Sequence, residues 1–88
     1  MEEEVEKKLI GKISHFYNKI SVAVVDLKNT LNEGDEIIIE GKTTSLRQII
    51  DSMEIEHKRV KTAKKGQSIG LKVNERVKEG DLVYKIVQ

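Results

Sequence analysis

The sequence predicts an all-β domain: a small closed antiparallel β-barrel, with one short helical turn allowed at the N-terminus. Three observations predict it. First, a glycine-centred pattern occurs three times, as Leu31-Asn32-Glu33-Gly34-Asp35-Glu36-Ile37, Ala63-Lys64-Lys65-Gly66-Gln67-Ser68-Ile69 and Val77-Lys78-Glu79-Gly80-Asp81-Leu82-Val83. In each, glycine supplies the positive φ of a tight turn and the apolar residue three places on enters a strand. Second, the segments between these turns alternate apolar and polar residues with period two. Third, too few stretches carry a helix-length pattern for βαβ units, and closing a sheet of this size removes its exposed edges.

The elements follow in order. Residues 1–8 form a charged N-terminal segment, and residues 9–88 form the single barrel domain. The pairs Glu3/Lys7 and Glu4/Lys8 stand at helical i,i+4 spacing, which gives the short helical turn. Leu9 to Phe16 and Ser21 to Leu27 read as strands around a hairpin-like break at Tyr17-Asn18-Lys19. Ile37-Ile38-Ile39 is a β-branched triplet suited to a buried strand. Leu46 to Met53 is the one other segment with a helical alternative. Met53-Glu54-Ile55-Glu56-His57, Ile69 to Val73 and Leu82 to Ile86 alternate as strands, and the alternation puts His57 on the apolar side. The glycine pattern recurs at irregular intervals, so it describes a repeated turn and not a solenoid.

With 88 residues, one core is expected, burying about 60–65% of the unfolded chain's surface. Hydrophobic residues at 38% and charged residues at 35% argue against disorder. There is no cysteine, so disulfides and thiolate metal sites are excluded. High charge without cysteine also fits a thermophile-like surface of interspersed ions. No apolar run approaches the roughly 20 residues of a membrane span. The acidic start is unlike a secretory signal, which gives an expectation of cytoplasmic location.

The net charge of +1 conceals a segregation along the chain. Lys7 to Val25 and His57 to Asn74 contain no acid, whereas Asp26, Glu33, Asp35, Glu36, Glu40, Asp51, Glu54 and Glu56 dominate the stretch between them. Within that acidic half, Arg47 is expected as an ion-pair partner.

Taken together, Leu31 to Gly41, Met53-Glu54-Ile55, Ala63 to Leu71 and Lys78 to Val83 resemble the second domain of translational GTPases, such as elongation factor Tu and the bacterial-type initiation factors. They are also similar to the barrel at the C-terminus of collagenase-like peptidase-family proteins, some of which act on tRNA. The resemblance spans about Ile10 to Ile86, and Gln67 departs from it where the family has Asp after the glycine. It implies a barrel of the translation-factor domain 2 type, a role in protein biosynthesis and contact with tRNA or ribosomal RNA. It transfers no individual site residue.

Catalytic chemistry is not visible. Gly41-Lys42-Thr43 ends like a phosphate-binding loop, but the required first glycine falls on Glu36, ahead of a strand, so no nucleotide hydrolysis is expected. His15 and His57 lie far apart in the sequence and lack the close pairs of a zinc site. No nucleophile stands in a recognisable setting with a base and an oxyanion stabiliser. Neither a cofactor nor a metal is expected.

Two features can bind. Lys58, Arg59, Lys61, Lys64 and Lys65 form a basic tract able to pair with phosphates and release counterions, although lysine-rich loops are also ordinary solvated surface. His15-Phe16-Tyr17 is the only aromatic cluster. Neighbouring strand residues face opposite ways, so at most one of Phe16 and Tyr17 enters the core, leaving the other free to stack on a base or anchor a protein. The first reading is therefore a non-catalytic RNA-binding module using Lys58, Arg59, Lys61, Lys64, Lys65, Phe16 and Tyr17. The alternative is an accessory protein-docking domain for a separate catalytic or GTPase chain, with the acidic half Asp26 to Glu56 as its docking face.

Overall fold

The computed structural model describes residues 6–87, all of them in strands, turns and loops, with no helix among the described residues. Ten strands run in chain order. β1 (Glu6–Tyr17), β2 (Val22–Leu27), β3 (Leu31–Asn32), β4 (Glu36–Glu40) and β5 (Ser45–Ile49) form the first half. β6 (Met53–Ile55), β7 (Lys58–Val60), β8 (Thr62–Ala63), β9 (Ser68–Lys72) and β10 (Leu82–Val87) form the second.

Eight of them make one antiparallel sheet in the order β5-β4-β10-β1-β2-β9-β6-β7, while β3 and β8 pair as a separate ribbon. The all-β, antiparallel expectation is met. The ladder itself does not close: it ends at β5 and β7, which are not hydrogen-bonded to each other. Short links span the gap. Gly34 N–H donates to the Ile50 carbonyl at 3.0 Å, and Glu33 N–H donates to that of Lys61 at 2.8 Å, so the β3 region ties the end of β5 to the end of β7. Gln48 on β5, only 6% exposed, adds a second clasp. Its amide nitrogen donates to the Lys72 carbonyl at 3.0 Å, and its amide oxygen accepts the Asn74 N–H at 2.8 Å.

The buried apolar residues form a single cluster with contributions from every strand except β7, whose partly buried Val60 packs against it. A single sheet with all its core on one face has to coil until that face meets itself. Two bulges in the long β1, between Leu9 and Gly11 against β10 and between Ile13 and His15 against β2, help it bend. Of the isoleucine triplet, Ile37 and Ile39 are fully buried and Ile38 faces outward.

The three glycine turns share one construction. Gly34, Gly66 and Gly80 have φ of 91°, 90° and 91°, the third-position value of a type II turn. The residue after each glycine closes the turn twice. The N–H groups of Asp35, Gln67 and Asp81 each donate at 3.1 Å to the carbonyl three residues back. Their side-chain oxygens accept the N–H of Asn32, Lys64 and Lys78 at 2.9, 2.7 and 2.8 Å. Gln67 thus performs the task of the aspartates, so its departure from the pattern leaves the turn intact.

Each turn is also pinned to a buried residue elsewhere by a reciprocal pair of backbone bonds. Gly34 and Asp35 bracket Ile50, Gly66 and Gln67 bracket Leu27, and Gly80 and Asp81 bracket Ile13, at 2.8–3.0 Å in the pattern Gly N–H to carbonyl and N–H back to the next carbonyl; the individual lengths for the last are both 2.8 Å.

Three local expectations are corrected. Glu6 to Lys8 lie in β1, paired with Val87 to Lys85, because β10 offers them a ladder; the remainder of the proposed helical turn lies outside the described residues. Leu46 to Met53 is extended, with Leu46, Gln48 and Ile50 turned inward. His57 is not on the apolar side of a strand, because the chain turns at Glu56 and His57, with φ of 50° and 65°, and His57 is exposed.

Candidate functional site

The outward face of the sheet around β2 and β9 carries the site. Alternation along β2 points Ala23, Val25 and Leu27 into the core and leaves Val22 and Val24 half-buried on the outer side. On β9, Ile69 and Leu71 point inward, so Ser68, Gly70 and Lys72 face out. The register sets Val24 and Glu54 on either side of Gly70 and Val22 opposite Lys72. With no side chain at Gly70, the sheet surface is depressed between its neighbours. A Cβ there would stand 3.4 Å from Val22 Cγ1.

The result is a groove of about 460 Å³ floored by Val22, Val24 and Gly70. One wall is the turn leaving β1, with Tyr17 at 50% exposure and Ile20 at 56%. The opposite wall holds Glu54, Glu56 and His57. Tyr17 is steadied by the edge of the His15 ring, their centroids 4.4 Å apart and their planes at 67°. The Ile20 turn is fastened to the end of β9: Lys72 Nζ donates to the Ile20 carbonyl at 2.8 Å, and Val73 N–H donates to that of Ser21 at 2.9 Å.

The rim of this groove carries acids that are free of ion pairs among the described residues. Most acids of the Asp26 to Glu56 half are engaged within the domain. Glu33 pairs with Arg59 at 3.2 Å, Asp35 with Lys85 at 3.4 Å, Glu36 with Arg47 at 2.6 Å, and Glu40 with Lys7. Arg47 is thus the ion-pair partner its surroundings lead one to expect. Its hydrogen bond holds the Glu36 carboxyl below the usual glutamate range, and the same bond raises the Arg47 pKa. Asp26 accepts from Ser68 Oγ at 2.7 Å. Glu54 and Glu56 make no ion pair among the described residues. Arg59 stands opposite Glu54 in the β6–β7 ladder, but its guanidinium turns to Glu33 and to the Asp51 carbonyl.

The residues singled out from sequence divide between two places. Lys58 and Arg59 lie on β7, Lys61 follows it, and Lys64 and Lys65 sit in the Gly66 turn; all five are exposed. None of them lines the groove that Tyr17 lines. Phe16 is partly buried against the core, and Tyr17 is the outward member of the pair. The basic tract and the exposed aromatic therefore do not line one groove: Tyr17 shares its groove with Glu54 and Glu56. Gly41-Lys42-Thr43 makes the β4–β5 turn, where Gly41 N–H donates to Thr44 at 2.9 Å and the Asp81 carboxylate crowds the glycine.

Sequence reasoning passed over Ile20, Val22, Val24 and Gly70. The unbroken run Val22 to Val25 hides which valines face out, whereas a glycine inside the strand Ile69-Gly70-Leu71 is a recognised mark of close approach. Among the described residues no cluster of acids and histidines could hold a metal ion, and no helix is long and apolar enough to cross a membrane.

No protein-family model matches the chain. It is 49% identical over 76 residues to an uncharacterized protease of Methanocaldococcus jannaschii, a match that covers 85% of this chain and 19% of that protein. It is 33% identical over 82 residues to a collagenase of Porphyromonas gingivalis, covering 91% of this chain and 23% of the relative. The chain thus spans about a fifth of the length of the curated relatives it matches. Among solved structures, the C-terminal domain of a Geobacillus thermoleovorans protein described as a U32 peptidase superposes with a TM-score of 0.82 at 20% identity, covering 88% of this chain and 90% of that one. Its selenomethionine variant gives the same TM-score at 19% identity. These findings correct the expectation of a translation-factor-like, RNA-binding module of protein biosynthesis: the similar chains are named as proteases, and the collagenase-like side of the resemblance is the one they support.

Proposed function

We propose that the chain is an accessory, non-catalytic domain that docks onto the catalytic portion of a U32-peptidase-type protein, in the same chain or in another. The observation that carries this reading is the outward groove at Gly70. Water-facing positions of a coiled sheet are ordinarily polar, yet here Tyr17, Ile20, Val22 and Val24 present adjoining apolar surface, which supports an interaction site. The comparisons support the choice of partner, since similar segments occupy about a fifth of longer chains with protease names. The protease and collagenase activities belong to those names, and the reading assigns this chain none of the bond-breaking chemistry.

The test is co-purification from the source organism with a tagged copy of the chain and identification of what it retains. Retention of a U32-peptidase-type chain that survives nuclease treatment and is lost in Ile20→Asp supports the reading. Recovery only of material released by nuclease overturns it.

A further inference from the structure

The groove has a chemistry that selects among docking segments. Its floor and one wall are apolar, and its open side carries two carboxylates without ion pairs among the described residues. We propose that it takes an extended polypeptide segment with one bulky aliphatic or aromatic side chain and a Lys or Arg two residues away. The apolar side chain seats over Gly70 between Tyr17 and His57, and the cation meets Glu54 and Glu56. This rests on the docking reading and names the occupant of its site.

The geometry fits an extended chain. Glu54 is the ladder partner of Gly70, so its backbone lies one strand spacing, about 4.8 Å, from the floor. Side chains at i and i+2 of an extended segment stand about 6.8 Å apart on one side. An anchor over Gly70 therefore brings its i+2 neighbour over β6. Three features favour a cation in that place. The basic residue opposite Glu54, Arg59, is committed to Glu33 and Asp51. Lys72, at the end of the groove, has its ammonium on the Ile20 carbonyl. An acidic segment would set like charges against Glu54 and Glu56, which costs affinity and rejects wrong partners. The floor is bounded by ladder bonds on both sides, because β9 lies inside the sheet between β2 and β6, so it has no free edge for β-augmentation and side chains must do the recognition.

The experiment uses the isotope-labelled chain and two capped octapeptides. One is Gly-Ser-Lys-Thr-Phe-Thr-Lys-Ser, and the other has Glu at both Lys positions. Amide resonances are followed by NMR to millimolar peptide. The lysine peptide is expected to move Val22, Val24, Glu54 and Gly70, and the glutamate peptide to bind roughly tenfold more weakly. The double variant Glu54→Lys, Glu56→Lys reverses the preference. Ile20→Ser, at an exposed position, weakens both peptides with the rest of the spectrum unchanged. Equal affinity for the two peptides, shifts confined to other surfaces, or no shifts at all overturns the proposal. Co-purification that persists alongside such a result leaves the docking reading standing and removes only this occupant. Peptide binding without any U32-type partner removes the reading and keeps the groove's selectivity.

Discussion

Gly34, Gly66 and Gly80 hold nearly the same φ, and a Cβ added at any of them meets nothing within 4 Å. Substitution by alanine at these positions is therefore a matter of backbone conformation alone, free of collisions. Each Gly→Ala change is expected to cost about 1–2 kcal/mol, the penalty of a side chain in the left-handed region, and the three costs should agree closely in urea midpoints. At the neighbouring position, Gln67→Asp is expected to leave stability within about 0.5 kcal/mol, because Asp35 and Asp81 make the same bond. Gln67→Ala removes the acceptor for Lys64 N–H and should cost about 1 kcal/mol by the same measurement. The turn glycines are legible in the sequence because a positive φ demands their residue type. His57 is misread for the opposite reason: a non-glycine residue at φ 65° breaks an alternation that composition alone continues. Gly70 is visible as a mid-strand glycine, but what it exposes depends on Val22 and Val24, which only the register places beside it.

Among the elements, β5 is the one that sequence pattern describes least well. Its inward positions are Leu46 and Gln48, followed by Ile50 just past its end, so a buried amide interrupts the apolar alternation and lets a helical alternative compete. The amide is there because β5 ends the ladder, and Gln48 supplies the bonds a further strand would have made. Gln48→Leu leaves the Lys72 carbonyl and the Asn74 N–H without partners and is expected to cost about 2–4 kcal/mol, read as a fall in thermal midpoint. On the exposed side of the same strand, Arg47 reaches Glu36 on β4, and the pair gives a pH-dependent contribution. The folded-state pKa of Glu36 lies below its unfolded value, so the pair contributes fully above the unfolded value and is lost as pH falls through the folded one. A double-mutant cycle of Arg47→Ala and Glu36→Ala, measured by denaturant unfolding at neutral and acid pH, should show a coupling that disappears at acid pH. The strand β1 is well foreseen between Leu9 and Phe16, but its extension to Glu6 is invisible locally, since it exists only through pairing with β10.

At the scale of the molecule, the charge segregation read along the chain does not become two poles. Lys7 reaches Glu40 and lies 4.6 Å over the Tyr84 ring, Lys85 reaches Asp35, and Arg59 reaches Glu33, so basic and acidic stretches neutralise each other across the fold. Linear charge pattern is legible in sequence; which residues it brings together is set by topology, and that is why Glu54 and Glu56 are seen to lack ion-pair partners among the described residues only in three dimensions. All buried apolar residues among the described ones belong to one cluster, so unfolding followed by circular dichroism and by the fluorescence of Tyr17 and Tyr84 should give coincident transitions; separate midpoints would mean independently melting parts. The three pinned turns, alike in every bond, differ in one respect that matters in time. Ile50 follows closely after Gly34, Leu27 and Gly66 are well separated, and Ile13 and Gly80 lie towards opposite ends of the chain. Closing a longer loop costs more entropy before any contact rewards it. The same local structure is therefore expected to form in order of span, the Gly34 pin early and the Gly80 pin last, an order that pulse-labelled hydrogen exchange at the Gly34 and Gly80 amides would check.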